Sequence, residues 1–84
     1  MLNSTVSLDE MVRDVNKGHE IEFMYNDKMY SITHYDGGIS AIEFDKMDTE
    51  KTYQSAEELF KDYKLDGNVT LNDVFEQIKI ELYC

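Results

Sequence analysis

Ile21-Glu22-Phe23-Met24-Tyr25-Asn26-Asp27-Lys28-Met29-Tyr30-Ser31-Ile32 is the stretch on which the fold turns. Ile21, Phe23 and Tyr25 alternate with Glu20, Glu22 and Met24, the period of a strand with one buried face. Asn26-Asp27 closes a two-residue hairpin, which sets Phe23 opposite Tyr30 and Ile21 opposite Ile32. The next turn signal is Asp36-Gly37-Gly38. A three-residue loop there pairs Ile32 with Ile42 and Tyr30 with Phe44, whereas a two-residue loop at Gly37-Gly38 sets Ile32 against Glu43. A slip of one residue turns every side chain over, so the three-residue loop is the expectation. The inner face then carries Ile21, Phe23, Tyr30, Ile32, Ile42 and Phe44.

Helices flank this meander. Ser7 and Glu10 have the spacing of a capping box, Val6 and Met11 that of a hydrophobic staple, and Leu8, Met11, Val12 and Val15 one apolar helical face. Arg13 and Lys17 suit the helix end, and Gly18 supplies a stop. Residues 45–51 read as a charged connecting loop, with Thr52 and Tyr53 a short edge strand. Ser55 and Glu58 repeat the capping pattern before a helix with Leu59, Phe60 and Tyr63, which Asp66-Gly67-Asn68 breaks. Thr70 and Asp73 cap a third helix with Leu71, Val74, Phe75 and Ile78 inside. Ile78, Ile80 and Leu82 alternate with Lys79, Glu81 and Tyr83, favouring a terminal strand, although Val74, Ile78 and Leu82 also suit a continuing helix. The expected class is α+β: one domain over 1–84, an antiparallel meander of three to five strands with two or three helices on one face.

Eighteen acidic against eight basic residues give a net charge of −10 over 84 residues. That argues against direct nucleic-acid binding, which needs a basic face, and against docking on anionic lipid. The charge is either a solubility device or is presented to a basic surface on another protein. Cys84 is the only cysteine. A small secreted domain would carry several, so a reducing, cytoplasmic location is expected. Met-Leu-Asn-Ser-Thr has neither a charged leader nor an apolar run, and nothing reads as a membrane span.

Several tempting sites fail on chemistry. Asp62, Asp66 and Asp73, with Gly67 and Val69, resemble the calcium loop of the EF-hand and dockerin families. Lys64, however, stands where an oxygen ligand belongs, and a bidentate Glu is missing at the last position. His19 and His34 stand opposite each other at the open end of the hairpin, but zinc normally takes four ligands. Cys84 lies at a terminus expected to fray, Glu57 and Glu58 diverge on a helix, and no Gly-rich phosphate loop precedes a helix. The expectation is therefore no metal, no cofactor and no catalysis.

A surface remains. With the inner face assigned as above, the outer face carries Glu20, Glu22, Met24, Met29, Ser31, Thr33, Tyr35, Ile39, Ala41 and Glu43. Glu22 and Glu43 flank Ser31, Met24 lies beside Met29, and Tyr35 beside Ile39. Acids in the middle with methionine, tyrosine and isoleucine at the ends suit an interface. The candidate binding residues are Glu20, Glu22, Met24, Met29, Tyr35, Ile39 and Glu43.

Gly18 to Ile32, together with Thr52-Tyr53-Gln54-Ser55, Glu57-Glu58-Leu59 and Leu65-Asp66-Gly67, resembles a group of small acidic proteins of Firmicutes and their phages. That resemblance implies no activity and no site. The order helix, three strands, helix, helix, with strong acidity, is similar in architecture to some anti-CRISPR proteins that imitate DNA. The functional expectation is an acidic protein-binding module. One form would be a phage or prophage inhibitor covering a basic nucleic-acid-binding surface of a host protein. The alternative is a small structural or housekeeping protein that forms a homodimer through its sheet.

Overall fold

The computed structural model describes residues 6–84; the leader reading at residues 1–5 lies outside them. The chain runs α1 (Leu8–Asn16), β1 (Ile21–Tyr25), β2 (Lys28–Tyr35), β3 (Gly38–Glu43), β4 (Lys46–Tyr53), α2 (Ala56–Asp62), α3 (Leu71–Val74), a 3-10 turn (Phe75–Gln77) and β5 (Lys79–Tyr83). The five strands form one antiparallel sheet in the order β4-β3-β2-β1-β5, so the terminal strand adds beside the first. Helical residues Met11, Val15, Leu59, Phe60, Leu71 and Val74 join Ile21, Phe23, Tyr30 and Ile32 of the sheet in one apolar core.

Each helix starts where its cap allows. Ser7 and Glu10 satisfy each other's backbone N–H groups at 3.1 and 3.0 Å, and Thr70 and Asp73 do so at 3.3 and 3.1 Å. At α2, Ser55 accepts from the Glu58 N–H, but the Glu58 carboxylate reaches back one residue further, to the N–H of Gln54. The helix ends at Asp62 because Tyr63 turns extended to enter the core. Asp66-Gly67-Asn68 then makes a small hairpin between Leu65 and Val69, pinned by the Asp66 N–H donating to the buried Tyr30 hydroxyl at 2.9 Å. Asn16 ties α1 to α2, accepting from the Ala56 N–H at 2.8 Å and donating to Glu57 at 2.9 Å. That amide holds the Glu57 carboxyl below its usual range.

The β1–β2 hairpin has the expected register, Phe23 opposite Tyr30 and Ile21 opposite Ile32, with Asn26 and Asp27 both at positive φ. The next turn differs. It is the two-residue Asp36-Gly37, with Gly37 at φ +102° and Tyr35 opposite Gly38. Ile32 therefore faces Ala41 and Tyr30 faces Glu43. Ile39 and Ala41 enter the core, while Ile42 and Phe44 turn to the other side. In this turn Gly37 alone takes positive φ, a position that glycine fills without strain, and that local geometry overrides the better apolar match of Ile42 to Ile32. The small Ala41 also leaves room for α2, which lies over β3 and β4.

Residues 45–51 are not a loop either. Phe44-Asp45 turns the chain, with Asp45 at φ +65°, and β4 follows as an edge strand. It is exposed on both faces over most of its length, so its charges meet water and also discourage edge-to-edge pairing.

Magnitudes decide what holds this fold. Fully burying one large apolar side chain contributes about 1.5–3 kcal/mol, and Phe23, Tyr30, Phe60, Met11 and Leu59 are all but inaccessible. The ion pairs Lys46–Glu43 at 3.8 Å and Lys79–Glu81 at 3.6 Å lie at the surface, where each contributes about 0–1 kcal/mol. The core dominates.

Candidate protein-interaction surface

The described helices all pack on one side of the sheet, and the strand register lays out what the other side displays. At the Asn26-Asp27 end, Lys79, Met24, Met29 and Phe44 form a row; Phe44 extends the ladder by donating its N–H to the Met29 carbonyl at 2.9 Å. The next row is Leu82, Glu22, Ser31 and Ile42, followed by Thr33, Ser40 and Thr52, and then Tyr35 with Gly38. Leu82, Phe44 and Tyr35 keep 40%, 42% and 46% of their surface in water, and Met47 on the edge strand β4 keeps 77%.

Of the expected binding residues, Glu20, Glu22, Met24, Met29 and Tyr35 lie on this face. Ile39 and Glu43 do not. The Asp36-Gly37 turn puts Ile39 in the core at 5% exposure and sends Glu43 to the helix side, where it pairs with Lys46. Ile42 and Phe44 take their places, so the middle of the face holds one acid between apolar neighbours rather than two. Leu82 belongs to the same patch and is contributed by β5. The signal that could have placed Ile42 and Phe44 is the Asp-Gly dipeptide; Leu82 follows once β5 is set antiparallel to β1.

The hydroxyl half of the face is shaped by Tyr35, whose ring lies across Gly38 towards β4. Beside it, Ser40 donates to the Glu50 carboxylate at 2.6 Å. A shallow depression of about 570 Å³ runs between Thr33, Tyr35, Ser40, Glu50 and Thr52. A second groove, about 720 Å³, separates α1 from α2 on the opposite side and is walled by Arg13 and Lys61 as well as Glu57 and Glu58. Its charges are mixed and Asn16 already bridges its walls.

The other candidate groups have structural partners. His34 Nε2 donates to the Val15 carbonyl at 2.6 Å and His19 Nδ1 to that of Asp14 at 3.0 Å, so both rings cap the end of α1. His34 Nδ1 is buried with no partner among the described residues. Asp66 accepts from Asn26, and Asp73 from the Thr70 backbone, which with the Thr70 hydroxyl holds its carboxyl below the usual range. Among the described residues no three His, Cys, Asp or Glu side chains are grouped to hold a metal ion. Nor is any helix among them long and apolar enough to cross a membrane. Cys84 is free and exposed.

Comparison with known proteins finds no match to this chain among protein-family models, curated proteins or solved structures.

Proposed function

We propose that the protein is an acidic binding module rather than an enzyme, and that it applies the open face of its sheet to another protein with a basic surface. The observation that carries this reading is one uncovered face exposing Leu82, Phe44 and Tyr35 on a chain of net charge −10. Apolar side chains supply contact area, and the surrounding negative charge steers and selects a positive partner. A host surface that otherwise holds nucleic acid has that character, which suits a phage or prophage inhibitor acting in a reducing cytoplasm. Self-association through the same face is the second reading, favoured by the exposed Leu82 and Phe44 and opposed by repulsion between two strongly acidic copies.

The test compares capture of one and the same host protein by the wild type, by Leu82→Lys and by the pair Glu57→Lys with Glu58→Lys. Charge alone predicts that the pair, which changes four units against one, weakens capture more. The face predicts the opposite order, with capture falling as salt rises. Loss in the pair with retention in Leu82→Lys overturns the reading. Sedimentation equilibrium of the wild type tests the second reading, since a stable dimer would occupy the face.

A further inference from the structure

Glu22 lies inside the apolar part of the uncovered face. It stands between Leu82 on β5 and Ser31 on β2, with Ile42 beyond Ser31 and Met24 two residues along its own strand. It is half-buried there, and among the described residues its carboxylate has no hydrogen bond and no ion pair. Of the lysines on the flanking strands, Lys28 stands opposite Tyr25 at the turn, and Lys79, on the same face one row away opposite Met24, pairs with Glu81 at 3.6 Å. An apolar partner covering this face would strip water from an unpaired carboxylate, which is strongly unfavourable. A second copy of the chain would bring another Glu22 and a further net charge of −10. Charge complementarity therefore selects an occupant that carries a cation into an apolar frame.

We propose that an arginine side chain of a partner protein seats on Glu22, its guanidinium on the carboxylate and its methylenes against Met24, Leu82 and Ile42. This rests on the binding-module reading and names the chemistry of the partner. Arginine fits better than lysine because its guanidinium is the more weakly hydrated cation and binds a carboxylate through two parallel bonds. Its stem packs on apolar surface, and Met24 can adjust to it.

The test titrates Nα-acetyl-arginine amide into the full chain and follows backbone amide shifts. Its neutral isostere, Nα-acetyl-citrulline amide, is the control, and the variants are Glu22→Gln and Asp48→Asn. Saturable shifts are expected at Glu22, Ser31 and Leu82. The citrulline compound, and arginine with Glu22→Gln, should each bind roughly tenfold more weakly, as loss of a charge-assisted bond implies. Asp48→Asn should titrate like the wild type. Glu22→Gln keeps the shape of a side chain on the open face, and an unchanged spectrum elsewhere establishes that the variant is folded. Equal shifts around Asp45, Asp48 and Glu57, unchanged affinity in Glu22→Gln, or no saturable shift at Glu22 overturns the proposal. If the arginine seat fails in this way while Leu82→Lys still abolishes partner capture, the binding-module reading stands without it.

Discussion

Tyr35 folds its ring across Gly38, so that a Cβ on residue 38 would lie 2.7 Å from the Tyr35 hydroxyl oxygen and 2.6 Å from the carbonyl oxygen of Tyr53. The ring can swing away from an added methyl group, but the β4 backbone cannot without disturbing the sheet. Gly38→Ala should therefore cost about 1–3 kcal/mol. Adding Tyr35→Ala should recover only part of that loss. Urea denaturation of the two single variants and the double provides the measurement, and a wild-type midpoint for Gly38→Ala would contradict the close approach of the Tyr53 carbonyl.

The two isoleucines of β3 separate the faces of the sheet. Ile39 is in the core, whereas Ile42 is half-buried on the open side. Ile39→Ala should cost about 2–5 kcal/mol, and Ile42→Ala clearly less, because its side chain stays partly in water and its truncation leaves no closed cavity. The reverse order in equilibrium unfolding would mean that β3 faces the other way.

Burial raises the ionisation of Tyr30, Tyr53, Tyr63 and Tyr83 above the ordinary phenol value of 10.0. Tyr83 is raised most, by burial first and then by its 2.6 Å hydrogen bond to the Asp14 carboxylate. The folded state thus keeps its phenol protons while the unfolded chain releases them. Stability from this source is complete below a pH of about 10 and declines as pH rises through the folded-state values. Tyr83→Phe should lose about 1.5–3 kcal/mol at neutral pH, the worth of a hydrogen bond to a charged group. It should also show a shallower alkaline decline than the wild type. A parallel decline in both proteins would contradict the assignment.

Thr70 starts a helix only four residues long and is itself 6% exposed. Thr70→Ala should destabilise by about 1 kcal/mol through loss of the cap. Its partner Asp73 acts on the acid side. Because hydrogen bonds to Thr70 depress its ionisation, the stabilisation is present above the usual carboxylate range and is lost as pH falls through the folded-state value. Asp73→Asn should be less stable than the wild type at neutral pH, and the gap should close in acid; thermal melts at pH 7 and at about pH 3 would show it.

Much of this fold is legible because local chemistry and apolar pattern agree. Ser7, Ser55 and Thr70 mark helix starts, Asn26-Asp27 sets the first hairpin, and alternation from Ile78 to Leu82 identifies the last strand. Legibility fails where the two disagree. Around Asp36 the apolar pattern prefers Ile42 and Phe44 inside, while the Asp-Gly turn requires Ile39 and Ala41 there, and the turn prevails. Of β4 only the end at Thr52 and Tyr53 is legible, for a different reason: Lys46, Asp48, Glu50 and Lys51 make the rest of an edge strand look like a loop, since an exposed edge has no need of alternation. The candidate surface inherits the first error. Glu20, Glu22, Met24, Met29 and Tyr35 sit on strands whose register is readable, whereas Ile39 and Glu43 sit on the strand that is not.

The Asp36-Gly37 turn leaves the character of the open face dependent on a single glycine. Gly37 sits at φ +102°, a conformation other residues rarely adopt. Replacing it therefore favours a three-residue loop ending in Gly38 and with it the pairing that the apolar pattern of β3 prefers, with Ile42 opposite Ile32 and Glu43 on the open side across Ser31 from Glu22. The middle of the face would become an acidic stripe, while β1, β2 and the helices kept their places. A lineage could in this way exchange one class of partner for another by one substitution rather than by rebuilding its surface residue by residue. Thiol labelling of single cysteines, with Cys84 replaced by serine, would register the exchange: in Gly37→Val a cysteine at position 39 becomes reactive and one at position 42 becomes protected.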